Sequence, residues 1–152
     1  MNKKSLLLAI MVVGIATLFI SGSIIAANNF PETIKMQNEA YDKHEKGIVE
    51  FSHGKHVDEY NVSCGQCHHD DQGKPLDLKK GDEVQSCIEC HSKPGEKPKG
   101  KDAPKLSKKE ELEYHAEAIH DNCITCHREF NKEKQTKAAP TSCTKCHPKT
   151  DK

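Results

Sequence analysis

The sequence predicts a small, mostly irregular domain with short α-helices and at most a minor two-stranded β element, wrapped around apolar groups that are not protein. Three observations predict it. Apolar residues crowd the N-terminus, the remainder is too poor in them to build a core, and a Cys-x-x-Cys-His repeat occurs four times in that remainder. Of the 52 residues counted as hydrophobic, 18 lie in the first 27. Residues 28–152 hold only 16 Leu, Ile, Val or Phe in 125 positions, well under the roughly 20% below which chains stay disordered. Such a chain is either disordered or completed by something else.

Residues 1–27 have the layout of a secretory signal peptide. Lys3 and Lys4 precede the apolar run Leu6 to Ile20, and small residues lead to Ala26 and Ala27. Cleavage there implies export. An uncleaved membrane anchor is the alternative, because no charged residue occurs from Ser5 to Pro31 and about 20 apolar residues span a bilayer; Ser21, Gly22 and Ser23 interrupt the run. Without Lys3 and Lys4 the chain carries 21 basic and 23 acidic side chains, net −2. That balance gives no reason to expect nucleic acid or anionic membrane as a target.

The repeats are Cys64, Cys67, His68; Cys87, Cys90, His91; Cys123, Cys126, His127; and Cys143, Cys146, His147, and no Cys lies outside them. Residues 28–48 read as an N-terminal extension and 49–152 as the domain that carries the repeats. A minor two-stranded element is allowed near Val49 to Phe51. Helical turns are expected at each repeat. The best helix runs from Lys108 to His120, opened by the capping box Ser107 to Glu110, with Leu112, Ala116 and Ile119 on one face. The Pro-, Gly- and Lys-rich stretch Lys93 to Lys109 reads as a solvated linker.

Three chemistries compete for the cysteines. A disulfide framework suits an exported protein, and paired Cys-x-x-Cys units suit zinc, but neither explains the His behind every second Cys. With 10 His in 152 residues, chance would produce that arrangement about 2 times in 100,000. Covalent c-type haem explains all twelve residues. Two thiols three positions apart on a helical turn reach the two vinyl groups of one porphyrin edge, and the next side chain swings under the ring to bind iron. Four such haems are large, rigid and apolar, and they replace the missing core. The apo chain is then expected to be unfolded, as small metal-dependent domains are.

His68, His91, His127 and His147 are the proximal ligands of this reading. His44, His53, His56, His69, His115 and His120 remain for four distal positions. His53 and His56 stand upstream of every haem-binding Cys and cannot be proximal. His69 directly follows His68, so the two face different rings, and their irons lie within an order of 15 Å of each other. His44 lies in the charged run Asp42 to Glu45, where a solvated side chain is expected. His115 and His120 both sit about 70° from the centre of the apolar helix face, so helix geometry does not choose between them.

These residues resemble the class III tetrahaem cytochromes c (the cytochrome c3 family) of anaerobic, especially sulfate-reducing, bacteria. The resemblance is carried by Phe51, His53 and His56, by Cys64-Gly-Gln-Cys67-His68-His69, by three further haem motifs, and by Tyr114, His115, His120 and Asp121. It covers about Val49 to Pro148. All four motifs here have two residues between the cysteines, whereas some family sites have four, and the stretch Lys93 to Glu113 looks expanded. By position, the resemblance implies that His53 is distal to the first haem, His69 to the second, His56 to the third and His120 to the fourth. Asp121 is expected to orient the His120 imidazole through its other nitrogen. The resemblance further implies an irregular and helical shell around four haem c groups, and no enzyme activity. It implies a periplasmic carrier between hydrogenase or formate dehydrogenase and membrane-bound cytochrome or quinone-reductase complexes.

Iron with two imidazoles has no open position for substrate, and His/His in place of His/Met removes the ligand that raises potential. The three Met residues, Met1, Met11 and Met36, lie beside no haem motif. A low-potential carrier follows. The rival readings are a multihaem reductase with one open iron and a membrane-anchored tetrahaem quinol dehydrogenase. Lys93, Lys97, Lys99, Lys101, Lys105, Lys108 and Lys109 crowd one linker, and Lys132, Lys134, Lys137, Lys145 and Lys149 surround the last motif. They are either a solvated basic face or a surface that steers an acidic redox partner.

Overall fold

The structure, a computed structural model, describes residues 30–149. The signal peptide or anchor expected at residues 1–27 lies outside the described residues. Strand β1 (Ile34–Lys35) pairs antiparallel with β2 (Glu50–Phe51), Ile34 opposite Phe51 and Lys35 opposite Glu50. One further bond, from the Met36 amide to the Val49 carbonyl at 2.8 Å, lengthens this ladder. The expected two-stranded element is therefore present, and its partner strand comes from the stretch 28–48.

Five helices follow: α1 (His53–Asp58), α2 (Cys87–Cys90), α3 (Lys108–Leu112), α4 (His115–Glu133) and α5 (Cys143–Cys146), with one 3₁₀ turn at Cys64–Gln66. The helix expected from Lys108 to His120 is two helices. Its N-terminal signal holds, for the Ser107 amide donates to the Glu110 carboxylate at 2.7 Å. The break falls at Tyr114, whose backbone is extended at φ −81° and ψ 119°. There the chain bridges Lys93 in parallel: the Lys93 amide donates to the Glu113 carbonyl at 2.9 Å and the His115 amide to the Lys93 carbonyl at 2.8 Å. A tertiary pairing has overridden helix propensity. Beyond the break, α4 passes through the third Cys-x-x-Cys-His unit to Glu133, because no Gly or Pro occurs between Pro104 and Pro140 to stop it. Gln135 ends the turn with a left-handed φ of 49°.

The Lys-rich stretch is tied down rather than free. Lys93 pairs with Glu113 at 2.6 Å, Lys97 with Glu111 at 2.5 Å and Lys108 with Asp121 at 2.6 Å, while Lys99 pairs with Glu96. Among the described residues no side chain is completely buried, and the most enclosed are His115 and Ala118 at 9% exposure each. The fold thus has almost no core of its own side chains, as the composition requires. Among the described residues no helix is long and apolar enough to cross a membrane.

Candidate functional site

Each Cys-x-x-Cys-His unit sits on a helical turn. Ser63, Ser86 and Ser142 precede the first cysteines of three units in extended conformation, which starts the turn. Ser63 and Gln66, and likewise Ser86 and Glu89, form capping boxes. The amides of His68, His91 and His147 then donate to the carbonyls of Cys64, Cys87 and Cys143 at 2.8, 2.8 and 2.7 Å. In the third unit, α4 provides the same i to i+4 geometry for Cys123 and His127. Both thiols and the imidazole of a unit are therefore brought to one side of a single turn.

None of the eight cysteines pairs with another in a disulfide, so no disulfide framework organises the fold. Zinc fares no better. Among the described residues no three His, Cys, Asp or Glu side chains gather where a metal ion could be held between them. Burial, and then neighbouring thiols, push Cys67 above its ordinary value. Cys123 keeps exposed surface, yet the protein packed around its sulfur pushes that thiol up to about 11.

The histidines are arranged in pairs. His53 faces His68 with ring centroids 6.3 Å apart, His69 faces His91 at 5.9 Å, His56 faces His127 at 6.2 Å, and His120 faces His147 at 6.2 Å. A metal–imidazole bond of about 2.0–2.1 Å, with the ring centre roughly 1 Å behind the nitrogen, puts two imidazoles on one ion about 6 Å apart centroid to centroid. The four pairs fit that span. Each joins one imidazole behind a Cys-x-x-Cys unit to one elsewhere, so the residues suit a haem c iron with two axial nitrogens. Because α1 carries both His53 and His56, one short helix serves two pairs.

Protonation follows from the outer nitrogens. The Nδ1–H of His53 donates to the Pro31 carbonyl at 3.0 Å, that of His56 to Ser52 at 2.9 Å, and that of His69 to Asp70 at 2.7 Å. His91 donates to Leu112 at 2.5 Å, His127 to Pro140 at 2.6 Å and His147 to Gly47 at 2.8 Å. A carbonyl only accepts, so Nδ1 carries the proton and the Nε2 lone pair is left for a metal. His68 is held below its ordinary value by burial and then by His53 and His69, which favours the neutral, ligating form.

His115 is placed elsewhere. Its Nδ1 lies 2.8 Å from the Tyr41 hydroxyl, and burial, then His91 and His44, lower its pKa. His44 is not solvated as expected: it is half-buried, stacks on Tyr41 at 4.7 Å and 14°, and accepts from the Asn38 amide at 3.4 Å. Asp121 does not orient His120; its carboxylate takes the Lys108 ammonium at 2.6 Å instead. Sequence reasoning missed Phe30, Pro31, Tyr41 and Gly47. The first three lie in a stretch without a motif, and the Gly47 carbonyl reaches His147 across 100 residues; no local signal marks such contacts.

A family model described as class III cytochrome C family matches residues 30–147. Among curated proteins, cytochrome c3 of Desulfovibrio desulfuricans is 30% identical over 106 residues, covering 68% of this chain and 81% of that protein.

Proposed function

The chain belongs to the class III cytochrome c family, and from that premise we propose that it is a periplasmic, low-potential electron carrier with four covalent haem c groups, each iron held by two imidazoles. Haem c supplies a one-electron iron couple when bound. The protein's own residues do the rest. Cys64 and Cys67, Cys87 and Cys90, Cys123 and Cys126, and Cys143 and Cys146 hold the four porphyrins. His68, His91, His127 and His147 are the proximal ligands, opposed by His53, His69, His56 and His120. The observation that carries the reading is the set of four His–His separations between 5.9 and 6.3 Å.

With an imidazole from each member of a pair on a bound haem iron, no position would be left open, so the protein would carry electrons and bind no substrate at the metal. The carbonyls on Nδ1 strengthen the imidazoles as donors, which favours ferric iron and lowers potential. Adjacent His68 and His69 belong to different pairs, which keeps the first two irons close enough for direct electron passage. Electrons enter from hydrogenase or formate dehydrogenase and leave to membrane-bound cytochrome or quinone-reductase complexes.

Intact mass of the exported holoprotein is expected to show four haems and loss of about 27 residues. The dithionite-reduced protein is expected not to bind carbon monoxide. Carbon monoxide binding at one haem would instead establish the reductase reading, and fewer covalent haems would remove the tetrahaem one.

A further inference from the structure

Six of the eight paired imidazoles give their Nδ1 proton to a backbone carbonyl. The two with no such bond among the described residues, His68 and His120, belong to the first and fourth pairs. Each of these pairs therefore has one anchored imidazole: His53 on the Pro31 carbonyl at 3.0 Å and His147 on the Gly47 carbonyl at 2.8 Å. Both carbonyls come from one stretch of chain ahead of every ligand. The second and third pairs take nothing from it, being anchored on Asp70, Leu112, Ser52 and Pro140.

We propose that residues 30–48 are a strap that positions the imidazoles of the first and fourth haem sites and so sets those two potentials, leaving the other two sites indifferent to it. The inference rests on the coordination read above. A carbonyl on Nδ1 fixes the plane of the ring and raises its basicity. Weakening that bond makes the imidazole a poorer donor to ferric iron, so the potential of that haem rises.

The two ends of the strap are fixed separately. At the front, Phe30 stacks on His53 at 4.5 Å and 30°, and the Gly54 amide at the start of α1 donates to the Glu32 carbonyl at 2.9 Å. Lys80 locks this end: its ammonium lies 4.2 Å over the Phe30 ring, 3.8 Å from Glu32 and 2.6 Å from Asp58 of α1. At the rear, Gly47 approaches the residue after His147 so closely that a Cβ would lie 2.1 Å from the Pro148 carbonyl oxygen. That neighbour is backbone and cannot swing away, so any side chain at Gly47 displaces its carbonyl from His147. Between the ends, the β1–β2 ladder fixes the strap to the start of α1.

Phe30→Ala, Phe30→Leu and Gly47→Ala holoproteins test this, with each haem followed by its methyl proton NMR signals during redox titration and by its EPR g values. Phe30→Ala is expected to raise the potential of the first haem and change its signals alone, with Phe30→Leu restoring most of the shift. Gly47→Ala is expected to do the same at the fourth haem alone. Unchanged potentials and spectra in both, or a common shift of all four haems, would overturn the strap. If Gly47→Ala does not accumulate as holoprotein, Phe30→Ala decides: a selective shift at the first haem sustains the proposal and its absence overturns it. Haem count and carbon monoxide binding of the unsubstituted protein separate the two levels. Failure there breaks the coordination itself, whereas four closed haems with no selective shift break only the strap.

Discussion

Residues 49–69 and residues 91–133 hold imidazoles by different means. In the first region four ligands, His53, His56, His68 and His69, fall within 17 positions, and one short helix presents two of them. His56 and His69 are anchored within four residues of themselves, on Ser52 and Asp70. In the second region His91 and His120 are 29 positions apart. The chain between them is folded back through the Lys93–Tyr114 bridge and three ion pairs. Local geometry serves the first region apart from His53, which reaches back to the Pro31 carbonyl, and tertiary contact serves the second. The second region is therefore open to substitutions far from any ligand, whereas the first is open to them only through His53, which Phe30 and Pro31 hold from outside it.

Withholding haem is the strongest way to break this contrast. Neither region has a protein core, so a chain matured without haem attachment is expected to lose both together. The scale is that of small domains folded by a bound metal, on the order of 10 kcal/mol or more. Far-UV circular dichroism should show α4 gone, and hydrogen exchange should show no protection in either region. Retained protection confined to residues 93–133 would mean that the bridge and the ion pairs hold that region without the cofactor. Exposed pairs of this kind contribute at most about 1 kcal/mol each, which argues against it.

The next effect separates ligand from neighbour within the second region. His120→Met is expected to raise one of the four potentials by on the order of 0.1 V or more, within the roughly 0.8 V over which axial ligands set haem potentials. His115→Met is expected to leave all four nearly unchanged and to cost stability instead, since it removes a buried group bonded to Tyr41. A redox titration of the two holoproteins decides. A single-haem shift in His115→Met and none in His120→Met would reverse the assignment.

What was legible in the sequence follows the same division. Phe51, His53, His56 and the four Cys-x-x-Cys-His units are local patterns, and the turns and the β2 strand appear where those patterns put them. The helix drawn from Lys108 to His120 had a correct start and a wrong interior, because its capping box is local while the break at Tyr114 is made by Lys93, 21 positions away. Asp121 beside His120 looked like a ligand's partner, but Lys108 competes for it from 13 positions upstream. His44 looked solvated because its neighbours are charged, and only the approach of Tyr41 and the Asn38 amide encloses it. Sequence carries no distance information of that kind.

The smallest effect belongs to Tyr41 and His115, and its sign can be worked out. The His115 imidazole is held below its ordinary 6.5, chiefly by burial. At pH above 6.5 it is neutral in folded and unfolded chains alike, and its full contribution is present. As pH falls below 6.5 the unfolded chain takes up the proton before the folded one does, so stability falls with pH toward the lowered folded value. The slope from one such group is at most about 1.4 kcal/mol per pH unit. Tyr41→Phe leaves the buried Nδ1 without its 2.8 Å partner, at a cost of about 1–2 kcal/mol. Iron-bound imidazoles do not titrate in this range, so the difference between the native protein and His115→Gln isolates the effect. Urea midpoints of the two holoproteins between pH 5 and 7.5 are expected to converge on acidification, the native protein losing more. Parallel profiles would show that His115 does not titrate with folding, and that the second region is anchored at Tyr41 by packing alone.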